Sequence, residues 1–281
     1  MATIVFLGSG TGPFVVGKSL RYAGGFIIQA SEMQFHLDPG PGSLSSAAAC
    51  GVNLRANTAV LVSHAHINHC NDVNAVLSAM TYDGLDRKGV LISNNSVING
   101  SEDSPACLTK FHRGLIEKFI VAKPNQRIGI EDIEIRTLAT KHSEQHNIGF
   151  KFFTPNFVLT YASDTAYSRE FLEQYEKSDI LILNVVHPFS QKSDDNLNSE
   201  DAVKIISHVK PQLAIIQHFG KQMLEADPLY EAREIQKRSD VQVIHAQDGL
   251  VVSPGSYSAS MKQRTLNLYK SENPAGNAPD A

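Results

Sequence analysis

Ala59-Val60-Leu61-Val62 is a short apolar run that leads without a break into Ser63-His64-Ala65-His66-Ile67-Asn68-His69. The apolar run predicts a buried strand. The three imidazoles therefore stand where a rigid strand gives way to a loop, the usual place for binding residues. Three protonated imidazoles this close would repel one another. Neutral imidazoles instead present nitrogen lone pairs that suit a divalent metal. A chance surface cluster is the competing explanation, and the strand context and the absence of low complexity argue against it.

Outward from this stretch, the chain reads as strands and helices that repeatedly end on polar residues. Upstream, Thr3 to Leu7 predicts a strand that ends in Gly8-Ser9-Gly10-Thr11-Gly12-Pro13. That spacing is not the dinucleotide-binding fingerprint, and no helical pattern follows at once, so a tight turn is expected. Phe26 to Gln29 and Met33 to Leu37 predict a hairpin, stopped by Asp38-Pro39-Gly40-Pro41-Gly42. Downstream, Val73, Val76, Leu77 and Met80 share one helix face, and Val90 to Ser93 is a further short strand. Segment 94–118 is polar and expected to form a local cap over the site. Strands then follow at 119–122, 133–139, 148–153 and 158–162. From Ser168 the pattern alternates: helix 169–176 and strand 180–185, helix 199–208 and strand 213–217, helix 229–237 and strand 241–244. Ser199, with Glu200 and Asp201 behind it, predicts a capped helix start. Asp248-Gly249 predicts a hairpin turn. The domain is expected to span 1–262, and the tail 263–281 lacks apolar periodicity and is expected to be partly disordered.

Three strand ends downstream carry candidate ligands: Thr140-Lys141-His142-Ser143, Ala162-Ser163-Asp164-Thr165 and Gln217-His218-Phe219-Gly220. Together with Leu37-Asp38-Pro39-Gly40 and the His64-to-His69 stretch, the set resembles the metallo-β-lactamase superfamily, whose pattern is HxHxDH after a strand. The resemblance covers roughly residues 3–253. The opening Phe6-Leu7-Gly8-Ser9-Gly10 and the acidic loop at Asp38 look most like the tRNase Z and phosphodiesterase branch. The resemblance implies an α/β, four-layer αββα sandwich with a two-metal site at one edge. In that arrangement His64, His66 and His142 hold one metal, His69 and His218 hold the other, and Asp164 bridges them. Asp38 fits an outer role, accepting an N–H from a ligand imidazole. His146 competes with His142, which is preferred because it follows its strand directly.

The chain departs from the family pattern at Asn68, where the motif has Asp. Asn keeps the shape, loses the charge and cannot act as a base near neutral pH. Several consequences stay open: weak binding of the second metal, partial replacement of the charge by Asp72, or an isosteric exchange, natural or engineered, that leaves binding without turnover. His187, in Asn184-Val185-Val186-His187-Pro188, stands near the place of the branch's proton-donating His, slightly out of register. Asn196 falls where related sequences often carry a further His. No Gly- and Lys-rich arm for gripping RNA is seen. Cys70 is expected to be a small buried residue, and His208 and His245 to be structural.

The 281 residues carry a net charge of −4 and no Trp. That excludes a strongly basic nucleic-acid coat. Three cysteines without regular spacing argue against a disulfide framework and fit a reducing cytosol. The N-terminus does not read as a signal peptide, and no run approaches the ~18–20 apolar residues of a membrane span. Two bound dications would bring the net charge near zero and make the cleft locally cationic, which suits a phosphate. The expectation is a cytoplasmic metal-dependent hydrolase with two divalent metals, zinc before manganese or iron. Its expected reaction is hydrolysis of a small nucleotide or nucleic-acid-derived phosphodiester by metal-held hydroxide, with His187 assisting. RNA as substrate and a homodimer stay open. Lactone or thioester hydrolysis on the same site is the alternative, as is a weakened protein that sequesters a nucleotide.

Overall fold

The computed structural model describes residues 2–102 and 104–257. The expected tail 263–281, and residues 258–262 of the expected domain, lie outside the described residues. In chain order the first half forms β1 (Thr3–Phe6), α1 (Pro13–Gly17), β2 (Phe26–Ala30), β3 (Met33–Leu37), α2 (Ser43–Ala49), β4 (Asn57–Val62), α3 (Ile67–Cys70), α4 (Val73–Thr81), β5 (Val90–Ser93), α5 (Asn95–Asn99), α6 (Lys110–Arg113) and β6 (Lys118–Val121). The second half forms β7 (Arg127–Ile130), β8 (Ile133–Ala139), β9 (Ile148–Phe153), β10 (Val158–Tyr161), α7 (Leu172–Tyr175), β11 (Ile180–His187), β12 (Leu197–Asn198), α8 (Ser199–Val209), β13 (Leu213–Gln217), α9 (Lys221–Glu225), α10 (Pro228–Ser239), β14 (Val243–His245) and β15 (Val251–Val252).

These strands make two mixed sheets. One runs β15-β1-β2-β3-β4-β5-β6, the other β14-β13-β11-β10-β9-β8-β7, with β12 beside β11. β1, β2 and β3 are antiparallel, whereas β3 to β6 are parallel. The second sheet repeats this: β7 to β10 are antiparallel, and β10, β11, β13 and β14 are parallel.

The burial of β4 explains its unbroken apolar run. Ala59 and Leu61 point into the core between the sheets, beside Phe6, Phe35 and Phe150. Val60 and Val62 point the other way, onto Val73, Val76, Leu77 and Met80 of α4. Successive strand residues face opposite sides, so a strand covered on both faces must be apolar throughout. On the far side, α8 and α10 bury Ile205, Ile206, Ala232 and Ile235 against Leu181 and Leu183 of β11. Helices thus cover both outer faces, giving the αββα layering. Truncating a fully buried residue such as Leu61 to Ala costs about 2–5 kcal/mol.

Several local expectations need correction. A helix, α1, follows the Gly8–Gly12 loop directly, begun by Pro13, whose missing N–H costs nothing in a first turn. The cap of α8 is Asn198, not Ser199, because its side chain accepts from the Asp201 N–H. Helix 169–176 opens as a 3₁₀ turn over Arg169–Phe171. Asp248-Gly249 joins β14 to β15, which belong to different sheets, so it is not a hairpin turn. Its carboxylate instead accepts from Ser9 N and Oγ at 2.8 and 2.7 Å and from Tyr22 N at 2.9 Å, latching two loops together.

Candidate metal centre

The ends of β4, β8, β10 and β13 converge at one edge of the sandwich. Gly10 and Phe219 form an isolated parallel bridge there, joining a loop of each sheet. His64 Nε2 lies 2.9 Å from His66 Nδ1, which lies 3.2 Å from His142 Nε2. Asp164 Oδ2 is 3.9 Å from His64 Nε2 and 3.8 Å from His142 Nε2. A second group forms beside it: His69 Nε2 is 3.1 Å from His218 Nε2, and Asp164 touches the two at 3.2 and 3.3 Å. Asp164 belongs to both groups.

The donor chemistry fits a pair of divalent ions. Donors arranged tetrahedrally at about 2.1 Å from a zinc-sized ion stand about 3.4 Å apart. Lone pairs aimed at one another at 2.9–3.2 Å would otherwise need a proton between each pair.

The outer partners set which nitrogen carries hydrogen. Asp38 Oδ2 faces His69 Nδ1 at 2.9 Å and accepts from Ser63 Oγ and Tyr161 OH at 2.9 and 2.6 Å. Its Oδ1 accepts from Ser63 N at 2.7 Å. With His69 Nδ1–H donated to Asp38, the Nε2 lone pair is free for the cluster. Ser63 Oγ also faces His64 Nδ1 at 2.9 Å, which orients that ring in the same way. Behind His142, Asp195 presents its carbonyl and its Oδ1 to Nδ1, each at 3.0 Å. Asp164 is steadied by Asn184, whose Nδ2 donates to Oδ1 at 2.6 Å.

Electrostatics follow from this packing. Burial pushes the His64 imidazole well below its ordinary value, and His69 adds to the effect. Burial lowers His218 as well. Burial also opposes protonation of His69, but the carboxylates of Asp164 and Asp38 outweigh it and hold that ring up at about 10. Burial pushes Asp164 up, yet His218 and His69 more than reverse this and hold it well below the usual carboxylate range. A positive charge between Asp38 and Asp164 is therefore favoured, and a dication there would replace the Nε2 proton of His69 and leave its Nδ1–H on Asp38.

Asn68, expected at the motif's Asp position, reaches the second group. Its amide end lies 3.0 Å from both His218 Nε2 and Thr11 Oγ1. Turned over, the amide presents its oxygen at that point, where Thr11 can donate to it. His187 lines the cleft at the end of β11, together with Asn196. Burial lowers the pKa of His187, against a hydrogen bond with Gln191.

Other expected residues go elsewhere. Asp72 does not supply charge to the cluster, because its Oδ2 accepts from Gly42 N and Ser43 N, each at 3.0 Å, at the start of α2. His146 turns away to Ser96 Oγ at 3.0 Å. Among its described residues, segment 94–118 does not line the cleft and so does not cap the site. The cleft of about 360 Å³ beside the clusters is walled instead by residues 11–15, 195–196 and 220–222. Asp195 and Asn184 were not among the residues expected from sequence. Asn184 had a signal, a polar side chain inside the apolar strand 180–185; Asp195 had none, since only folding brings its loop to His142.

Residues 34–219 match the family model of the beta-lactamase superfamily domain. The MJ1374 protein of Methanocaldococcus jannaschii is 30% identical over 251 residues, 89% of this chain and 94% of that one. Among solved structures, the metallo-beta-lactamase fold protein YhfI from Bacillus subtilis superposes with a TM-score of 0.74 at 19% identity, over 89% of this chain and 98% of that one. A diphosphatase from the PhnP family superposes with a TM-score of 0.68 at 18% identity, over 90% and 98% of the two chains.

Proposed function

The chain belongs to the beta-lactamase superfamily of metal-dependent hydrolases, and from that premise we propose that it hydrolyses small phosphodiesters of nucleotide type at a two-metal site. The observation that carries this reading is the sharing of Asp164 between two nitrogen-rich groups, beside a cleft that Asp164 itself lines together with His66, His142 and Asn68. His64, His66, His142 and Asp164 would hold one ion, and His69, His218 and Asp164 the other, with Asn68 offering a neutral oxygen. Zinc suits so nitrogen-rich a set, and manganese or iron would fit it too.

Two divalent ions, when bound, supply Lewis acidity toward phosphoryl oxygens and make water acidic enough to ionise near neutral pH. The chain supplies the rest. Asp38 and Asp195 hold ligand imidazoles in one tautomer. His187 reaches into the cleft and protonates the leaving oxygen. Phe14, 39% exposed, stands in the cleft wall. Lys18 Nζ and Lys221 Nζ lie 4.5 and 4.9 Å from its ring centre. Ammonium groups held over an aromatic wall give the cleft cationic donors that favour a phosphate-bearing substrate. The kinship in fold with a diphosphatase agrees with this chemistry.

The test is turnover of bis(p-nitrophenyl) phosphate by the zinc- or manganese-loaded chain, beside a lactone and a thioester. Steady release of nitrophenolate is expected; hydrolysis of the acyl substrates alone would sink the proposal. His187→Ala should slow a diester with an alkoxide leaving group by about 10²–10⁴-fold and spare the nitrophenyl diester. Equal effects on both would remove His187 as the proton donor. A second reading, a protein that binds a nucleotide without cleaving it, is favoured by the missing charge at Asn68. Calorimetric binding of a nucleotide with no product after long incubation would establish it.

A further inference from the structure

Behind the metal loop two thiols face each other. Cys70 closes α3, directly after His69, and its Sγ lies 3.2 Å from the Sγ of Cys107. That is closer than ordinary contact between unbonded sulfurs, and a disulfide needs a closure to about 2.05 Å. Both thiols also point at one acceptor, the carbonyl of Ala65, at 3.4 and 4.0 Å. Ala65 stands between His64 and His66, so the pair sits against the back of the ligand loop. Cys107 is held in place independently. Asn74 Nδ2 donates to its carbonyl at 2.8 Å, and Leu108 N donates to Val97 at 3.0 Å. Cys70 is buried and Cys107 is half-buried, so a small reagent meets Cys107 first. Cys50 has no such neighbour among the described hydrogen bonds.

We propose that Cys70 and Cys107 form a reversible disulfide that ties the 94–118 segment to the metal loop. The oxidant is a low-molecular-weight disulfide, RSSR. The Cys107 thiol gives up its proton, and its sulfur attacks RSSR to form a mixed disulfide and release one RS⁻. Cys70 then passes its proton to the released RS⁻ as its sulfur attacks the Cys107 sulfur and displaces the second RS⁻. The two protons end on the released thiols. Two protein thiols and RSSR thus become one protein disulfide and two RSH; the protein loses two electrons and RSSR gains them. The bond removes both S–H groups from the Ala65 carbonyl and draws in the end of α3, the helix that carries His69. Its effect on metal retention rests on the two-metal reading given above, whereas the disulfide itself does not.

The full-length chain, reduced and then exposed to oxidised glutathione, should fall from three titratable thiols to one. Peptide mapping should join Cys70 to Cys107, with Cys50 left free and dithiothreitol restoring all thiols. The Cys50→Ser variant should lose both remaining thiols, and Cys107→Ser should form no internal bond. Retention of all thiols, a stable glutathione adduct in place of the internal bond, or a bond to Cys50 would overturn the proposal. In a second arm, zinc release to a chromophoric chelator should be several-fold faster from the oxidised chain and recover on reduction. Equal release with the disulfide mapped would overturn the coupling alone. Failure of the chain to take up zinc at all would count against the two-metal reading and leave the thiol titration to decide the disulfide.

Discussion

Asn68 is the residue at which shape and charge part company. Its amide reaches the second ligand group, 3.0 Å from His218 Nε2, but brings no negative charge to it. Asn68→Asp should raise second-site metal affinity by about tenfold or more, equivalent to about 1.4 kcal/mol, and turnover with it. Elemental analysis after dialysis, run beside diester hydrolysis, checks this; unchanged stoichiometry and rate would show that the amide oxygen already suffices. His36 illustrates a different residue-scale effect. It is fully buried in β3, its Nε2 facing Gly24 O at 3.2 Å while Nδ1 has no partner. Burial drives its pKa down to about 4. The folded form thus refuses a proton that the unfolded chain accepts below about 6.5. The stability present above pH 6.5 is therefore lost as pH falls from there to about 4, up to about 3 kcal/mol. His36→Leu should remove that slope from denaturation of the metal-free protein, since Ser43 Oγ still donates to Gly24 O. An identical acid slope in variant and parent would assign it to another group.

At the scale of elements, the site is made by sharp departures from strands. Asp38, Ser163 and His218 all adopt positive φ, at 49°, 61° and 68°. Non-glycine residues pay about 1–3 kcal/mol for such conformations, which persist where the surroundings impose them. Gly40 shows how tightly the turns fit. A Cβ there would stand 2.0 Å from the Asn68 carbonyl oxygen and 2.3 Å from that of Ala23. Gly40→Ala should therefore displace the ligand loop, cost about 1–3 kcal/mol or more, and lower zinc stoichiometry. Thermal melting and metal analysis read the two effects, and a variant with parental values in both would contradict this account of the turn. The Asp38-to-Gly42 loop was legible as a hard stop after a strand. Its docking against Asn68 was not, because the partner is fixed by packing rather than by spacing.

Across the whole molecule, candidate ligands from both sheets surround a carboxylate pair that needs a counter-charge. Removing metal with a chelator should lower the melting temperature by about 5–10 °C relative to protein at a zinc concentration about 100-fold above its Kd. A scan unaffected by chelation would mean that the folded state does not depend on the ions. Among the described residues no helix is long and apolar enough to cross a membrane. The sequence by itself determined most of the strand and helix order and the clustered imidazoles, while the layering was implied by the family resemblance. Alternation and unbroken apolar runs report how many faces of a strand are buried, and the His64–His66–His69 spacing is local. Only the tertiary structure decided the outer partners: Asp195 behind His142, Asn184 on Asp164, Asp72 on α2 rather than the metals, and residues 11–15 rather than 94–118 as the cleft wall. These depend on which strand ends meet at the sandwich edge, and that meeting is set by the packing of two sheets on one core, which no local pattern encodes.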